Sequence, residues 1–156
     1  MAEEKMVLDK NILIAVDESE NARRAVLYVA QLLGGMVGFK ATILHVIPQQ
    51  EEDFFATPAD KDKWLSQYKQ KIDAMLDNYR QILVRGGFDP HNVSVRSTLR
   101  YCPSMAECIL DERDQLEYGT IVVGRQGLSR REEFLFGSVS STIVHHARSC
   151  TVWVVQ

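Results

Sequence analysis

Three glycines and a serine at fixed spacing are the residues here with the clearest chemistry: Gly124-Arg125-Gln126-Gly127, then nine residues, then Gly137-Ser138. They follow an apolar run, Thr120-Ile121-Val122-Val123, that reads as a strand, and they lead into Val139 to Arg148, which reads as a helix. Such a loop is suited to hold phosphate. Glycines let backbone N–H groups approach an anion closely, and the first helical turn adds unpaired donors and a positive dipole end. A lone pair of glycines would more simply serve turns, but three with a serine in this strand-to-helix frame indicate an anion site. The second candidate is Asp17, a carboxylate at the end of the apolar run Asn11-Ile12-Leu13-Ile14-Ala15-Val16.

The elements that must position these residues alternate. Continuous apolar runs at 11–16, 41–47 and 120–123 have the pattern of strands covered on both faces of a parallel sheet. Val93 to Leu99 alternates more, as an edge strand would, and Thr151-Val152-Trp153-Val154-Val155 supplies a fifth strand. Between them, Ala22, Ala25, Val26, Val29, Ala30 and Leu33 recur at helical spacing until Gly34-Gly35. A long amphipathic helix is expected over 61–84, with Trp64, Tyr68, Ile72, Met75, Leu76, Tyr79, Ile82 and Leu83 on its core stripe. Gln49 to Asp60 reads as a mobile connection, and a third helix, with Pro103 in its first turn, runs through Met105, Ile109 and Leu116. The order βαβαβαβαβ is that of an α/β domain with a doubly wound parallel sheet and helices on both faces. The pattern alone does not set the strand order. In the order 3-2-1-4-5 the direction of winding reverses between strands 1 and 4, and Asp17 would lie beside Gly124 in the crevice where such sheets bind ligands.

Composition bounds the function. The 156 residues suit one domain, 1–156, with 1–10 as a tail, and 46% apolar and 25% charged residues are ordinary for a globular protein. A formal net charge of −3 offers no global basic field for nucleic acid. No apolar run reaches membrane-spanning length, and residues 1–10 lack the apolar segment of a signal peptide. Three cysteines, Cys102, Cys108 and Cys150, form no C-x-x-C pair; this argues against a disulfide framework or a zinc site and fits a reducing cytoplasm. There is no G-x-G-x-x-G after the first strand and no G-x-x-x-x-G-K-[ST] anywhere, so any phosphate is held at the fourth βα turn and not the first.

With its element order, the whole chain resembles the universal stress protein family, in the branch that binds ATP through G-x2-G-x9-G-[ST]; Gly124, Gly127, Gly137 and Ser138 match that signature. Ile14-Ala15-Val16-Asp17 resembles the family's opening strand and aspartate, and Leu44-His45-Val46 its second strand. The resemblance implies a Rossmann-like sheet of order 3-2-1-4-5, of the adenine nucleotide alpha hydrolase type. It implies Ala15 and Val46 beside adenine, Asp17 and Gly124 beside ribose, and Gly127, Gly137, Ser138 and Val139 on the phosphates. Mg²⁺ is expected on the triphosphate, held by phosphate oxygens and water. The last strand, Thr151–Val155, is apolar and would lie at the sheet edge in this order, which points to a homodimer through it; the resemblance implies the same, and the sequence names no downstream protein partner. The chain departs from the family pattern at Arg100-Tyr101-Cys102 after strand 3, at Gly119, where an aspartate is common, and at Thr151, where proline is usual.

The leading expectation is thus a cytoplasmic ATP-binding stress-response or signalling module, with no catalytic residue and no metal-ligating side chain assigned. The alternatives are a weak ATP hydrolase or phosphotransferase using Asp17 and the loop arginines, and a dimeric interaction module without nucleotide. Bland readings stand beside the sharp ones. Asp17 reads alternatively as no more than the N-terminal acid of the first helix, and His45 reads as a buried, hydrogen-bonded histidine. His145-His146 reads as favourable charge at a helix C-terminus. Arg125, Arg130 and Arg131 face either phosphate or solvent, with Glu132 and Glu133 to balance them.

Overall fold

The computed structural model describes residues 9–125 and 139–156. Its strands are β1 (Asn11–Ala15), β2 (Lys40–Pro48), β3 (Val93–Arg100), β4 (Thr120–Gly124) and β5 (Thr151–Val155); its helices are α1 (Glu20–Leu33), α2 (Pro58–Arg85), α3 (Met105–Leu116) and α4 (Val139–His146). The five strands form one sheet in the order β3-β2-β1-β4-β5, and every adjacent pair is parallel. The expected architecture and strand order are therefore observed.

Side chains that alternate along β1 divide the core in two. Ile12 and Ile14 face the layer of α1 and α2, with Val26, Val29, Ile72, Leu76 and Leu83. Leu13 and Ala15 face α3 and α4, with Ile109, Ile121 and Ile143. Each large aliphatic side chain buried this way contributes about 1.5–3 kcal/mol. Helix α1 buries the same six residues that its periodicity marks, and Ser19 caps it by accepting from the Ala22 N–H at 3.1 Å. Its C-terminal end closes against that of α2 at a glycine contact: a Cβ at Gly34 would strike the Gly86 carbonyl.

Two boundaries differ from expectation. Helix α2 starts at Pro58, not Lys61, because Thr57 accepts from the Asp60 N–H and Pro58 takes the first helical position. The preceding connection holds a 3-10 turn at Glu52–Phe54, and beyond it Phe55 packs tilted against Trp64, which stacks on Tyr68. Helix α3 starts at Met105 behind the Ser104 cap, which leaves Pro103 ahead of the helix and not in its first turn. One chemical expectation is also overturned: Cys102 and Cys108 are joined by a disulfide, while Cys150 is free. The β3–α3 loop turns back so that their Cα atoms lie 5.8 Å apart, within bridging distance.

Helix α3 is fastened at its middle and its end. Glu112, 2% exposed, pairs with Arg96 Nε at 2.9 Å and Arg100 Nη1 at 3.3 Å; the Arg96 contact is an ion pair without hydrogen-bond alignment. Arg113 donates to the carbonyls of Tyr118, Arg148 and Ser149, which ties α3 to the turn before β5.

Candidate functional site

Because all strands run the same way, the carboxyl ends of β1, β2 and β4 open on one side. The chain winds from β1 through β2 to β3 on one hand and returns to β4 and β5 on the other, so β1 and β4 part their loops in opposite directions and leave a crevice. Register sets the depth: Ala15 lies opposite Leu44 on β2 and opposite Val123 on β4. A cavity of about 200 Å³ occupies this point. Its walls come from Ala15, Val16, Asp17, Ser19 and Ala22, from Leu44, His45 and Val46, from Met105 and Ile109, and from Val123, Gly124 and Val139.

The loop that carries Asp17 is held from both sides. Its carboxylate Oδ1 accepts from the Ser19 N–H at 2.8 Å, and its own carbonyl accepts from the Tyr79 hydroxyl of α2 at 2.8 Å. One residue earlier, the Val16 N–H donates to the Leu44 carbonyl at 2.8 Å. His45 completes the brace. Its Nδ1 lies 2.7 Å from the Val16 carbonyl, which can only accept, so Nδ1 carries the proton and Nε2 accepts from the Tyr68 hydroxyl at 3.4 Å. The reading of His45 as a buried, hydrogen-bonded histidine is correct, and it lines the cavity as well.

Both supporting tyrosines are hard to ionise. Burial and the neighbouring Asp17 and Glu20 push the Tyr79 phenol up to about 12. Burial, followed by Glu18, raises that of Tyr68. The Glu18–Lys71 pair at 3.0 Å bridges the same loop to α2, but both side chains are exposed and the pair contributes little.

Gly124 has a packing role that sequence reading did not see. A Cβ there would collide with the Asn21 carbonyl and crowd the Ala22 N–H, so the first turn of α1 rests directly on the end of β4. The Arg125 N–H donates to the Val155 carbonyl at 2.7 Å, which continues the β4–β5 pairing into the loop.

Of the residues expected at a site, Ala15, Asp17, Val46, Gly124 and Val139 meet around this cavity. Gly127, Gly137 and Ser138 lie outside the described residues, as do Arg130, Arg131, Glu132 and Glu133. His145 and His146 sit in the last turn of α4, where His146 Nδ1 lies 3.0 Å from the Thr142 carbonyl. Met105 and Ile109 were missed. Their four-residue spacing in the first turns of α3 was visible in the sequence, but not which face of that helix would meet the crevice.

Chemically, the cavity offers apolar walls to a flat ring, from Ala15, Val46, Met105, Ile109 and Val123, and one carboxylate to hydroxyl groups at its edge. Among the described residues, no group of three or more His, Cys, Asp or Glu side chains could hold a metal ion, and no helix is long and apolar enough to cross a membrane.

Known proteins agree with this architecture. A universal stress protein of Synechocystis sp. (strain ATCC 27184 / PCC 6803 / Kazusa), Sll1388, is 27% identical over 157 residues, covering 93% of this chain and 96% of its own. The fold matches a crystal structure of a universal stress protein in complex with cAMP at a TM-score of 0.67, with 18% identity over 94% of this chain and 95% of that one. It also matches a universal stress protein from Archaeoglobus fulgidus in complex with dAMP at a TM-score of 0.59, with 18% identity over 97% of this chain and 100% of the other. The sequence model of the Universal stress protein family matches residues 9–156, nearly the whole chain. The chain belongs to the universal stress protein family.

Proposed function

We propose that this protein binds an adenine nucleotide, ATP with Mg²⁺ foremost, and acts in the cytoplasm as a stress-response module whose nucleotide state another protein reads. The observation that carries this reading is the meeting of Ala15, Asp17, Val46, Gly124 and Val139 around one cavity at the switch point of the sheet. The two fold neighbours in complex with cAMP and dAMP support the adenine part, since both ligands consist of adenine, a pentose and a phosphate. The triphosphate rests on the glycine frame Gly124, Gly127, Gly137 and Ser138.

The residues fit such a ligand. Apolar walls suit the base, and the Asp17 carboxylate, which accepts from the Ser19 N–H on a backbone held by the Tyr79 hydroxyl, suits ribose hydroxyls. Mg²⁺ would be held by phosphate oxygens and water. Bound phosphate with a cation supports slow hydrolysis at most, because the frame has no P-loop lysine.

Titration calorimetry with ATP and Mg²⁺ tests the reading. Saturable binding that is lost in a Gly127→Val, Gly137→Val double variant is expected. No binding, or binding unchanged in the double variant, overturns it.

A further inference from the structure

We propose that Cys102 and Cys108 form a reversible clip beside the cavity, a redox modification site whose co-reactant is a small dithiol or its disulfide. The effect on ligand rests on the adenine-nucleotide reading above; the clip itself does not.

The bridge joins the β3–α3 loop to the end of the first turn of α3, with the Cα atoms 5.8 Å apart. The two cysteines differ in exposure: Cys102 is half-buried, whereas Cys108 is 1% exposed. Cys108 stands between Met105 and Ile109, and both of these line the cavity. A covalent tie from the loop therefore reaches the same stretch of helix that supplies two of the cavity's lining side chains.

The geometry also suits an open form. Cys102 Sγ lies 3.6 Å from the Arg100 carbonyl and Cys108 Sγ 3.5 Å from that of Tyr101. A disulfide sulfur has no proton to give them, but each thiol of the reduced pair would find an acceptor already in reach. The segment freed is small. Beyond Cys108, Glu112 is paired with Arg96 and Arg100, and Arg113 is bound to three carbonyls, so the rest of α3 stays in place. Ahead of it, Tyr101 is 74% exposed, and the local cap from Ser104 to the Glu107 N–H steadies the helix start. Opening is thus confined to the loop and the first turn, a local unit of the low-stability kind. In a thiol-reducing compartment such bridges are transient and regulatory.

The exchange balances without a further reagent. A thiolate of the dithiol attacks Sγ of Cys102, the more exposed of the two residues, and the S–S bond breaks; Cys108 leaves as a thiolate and takes a proton from water. The second thiol of the reductant then displaces Cys102 from the mixed disulfide. Two electrons and two protons pass to the cysteines, and the reductant leaves as its own cyclic disulfide. The same steps in reverse close the clip. Cys150 takes no part: it is free, and burial raises its thiol above the ordinary range.

Intact-mass spectrometry after alkylation in denaturant reads the clip directly. Protein equilibrated with oxidised dithiothreitol is expected to carry one alkylated cysteine, and protein treated with dithiothreitol all three. Amide hydrogen exchange over residues 102–109 is expected to speed up on reduction. ATP affinity should fall about fivefold, the low end for linked sites, and a Cys102→Ser variant should hold the reduced value under both conditions. Three alkylated cysteines in the oxidised sample, or equal exchange in the two wild-type forms, overturns the proposal. Absence of ATP binding in both forms would reject the nucleotide reading and leave the wild-type exchange comparison to decide the clip.

Discussion

The Tyr79 hydroxyl donates to the backbone carbonyl of Asp17 across 2.8 Å, so the long helix over one face of the sheet also fixes the loop that presents the site's carboxylate.

That bond makes stability depend on alkaline pH. Burial first, then Asp17 and Glu20, raise the Tyr79 phenol to about 12, whereas an unfolded tyrosine ionises near 10. The folded state therefore keeps the proton longer than the unfolded state. Its contribution is whole below about pH 10 and is lost as pH climbs towards 12. Urea unfolding is expected to show wild type losing about 2 kcal/mol more than Tyr79→Phe across that window. At neutral pH the variant should be about 1 kcal/mol less stable, because the Asp17 carbonyl loses its donor. Parallel pH profiles for the two proteins would dissociate the phenol from the effect.

Replacing Asp17 separates the site from the fold. In Asp17→Ala the Ser19 N–H loses its acceptor, a cost of about 1 kcal/mol at a part-buried position. The ligand would lose a charged acceptor for its hydroxyls, worth about 1.5–3 kcal/mol, or roughly tenfold to a hundredfold in ATP affinity. Calorimetry and denaturation on the same preparation compare the two. Unchanged affinity would mean that the carboxylate serves α1 alone.

How far the sequence discloses this protein differs from residue to residue. The six buried positions of α1 follow from their spacing and the Ser19 cap, because a helix between a sheet and solvent must repeat its apolar face. The strand order did not follow from the alternation of elements, since right-handed crossovers permit several orders; it came with the resemblance. Thr57-Pro58 carried a legible start for α2, but the polar stretch before it outweighed that signal. Met105 and Ile109 could be placed on a helix but not on the face that meets the crevice. Cys102 and Cys108 meet only because the loop after β3 reverses, a local geometry without periodicity. Gly124 was read as a ligand glycine, and its contact with Asn21 depends on how β4 and α1 approach in space.

The ion pairs behind α3 should respond unequally to deletion. Glu112 is 2% exposed, whereas the side chains of Arg96 and Arg100 are 41% and 26% exposed. Removing both arginines strands a buried carboxylate, at about 3–5 kcal/mol. Removing the carboxylate leaves two cations that water can reach, so Glu112→Leu should cost less than about half as much. Chemical denaturation of the Arg96→Ala, Arg100→Ala double variant beside Glu112→Leu measures the asymmetry. A larger loss in Glu112→Leu would show that packing and not charge governs this contact.

The two sheet edges differ in their suitability for self-association. The β3 edge carries Arg96 and Arg100 in ion pairs, while β5 is Thr151-Val152-Trp153-Val154-Val155, with Val154 38% exposed and Trp153 packed edge-on to Tyr28 at 6.2 Å. An apolar edge with open backbone groups associates unless it is covered. A two-fold pairing of β5 with its copy is expected, and Val154→Lys should convert the dimer to monomer in light scattering. A wild-type protein that stays monomeric at micromolar concentration would refute the pairing, and a dimeric Val154→Lys would move the interface elsewhere.

The glycines of the proposed phosphate frame should divide into two kinds. Gly124 is held by the backbone of α1: a methyl group there must displace the Asn21 carbonyl or crowd the Ala22 N–H, and neither can yield without moving the first turn of the helix. Gly124→Ala is therefore expected to cost about 1–3 kcal/mol of stability, as overpacking does. It should weaken ATP binding as a consequence, because α1 begins at Glu20, directly after Asp17 and Ser19 have set the site's edge. If Gly127 serves only the close approach of phosphate, Gly127→Ala should lower affinity and leave the unfolding midpoint unchanged. Thermal unfolding with and without ATP resolves the two. Equal losses of stability would place both glycines in the fold, and a stable Gly124→Ala protein would mean that α1 can withdraw from β4 at little cost.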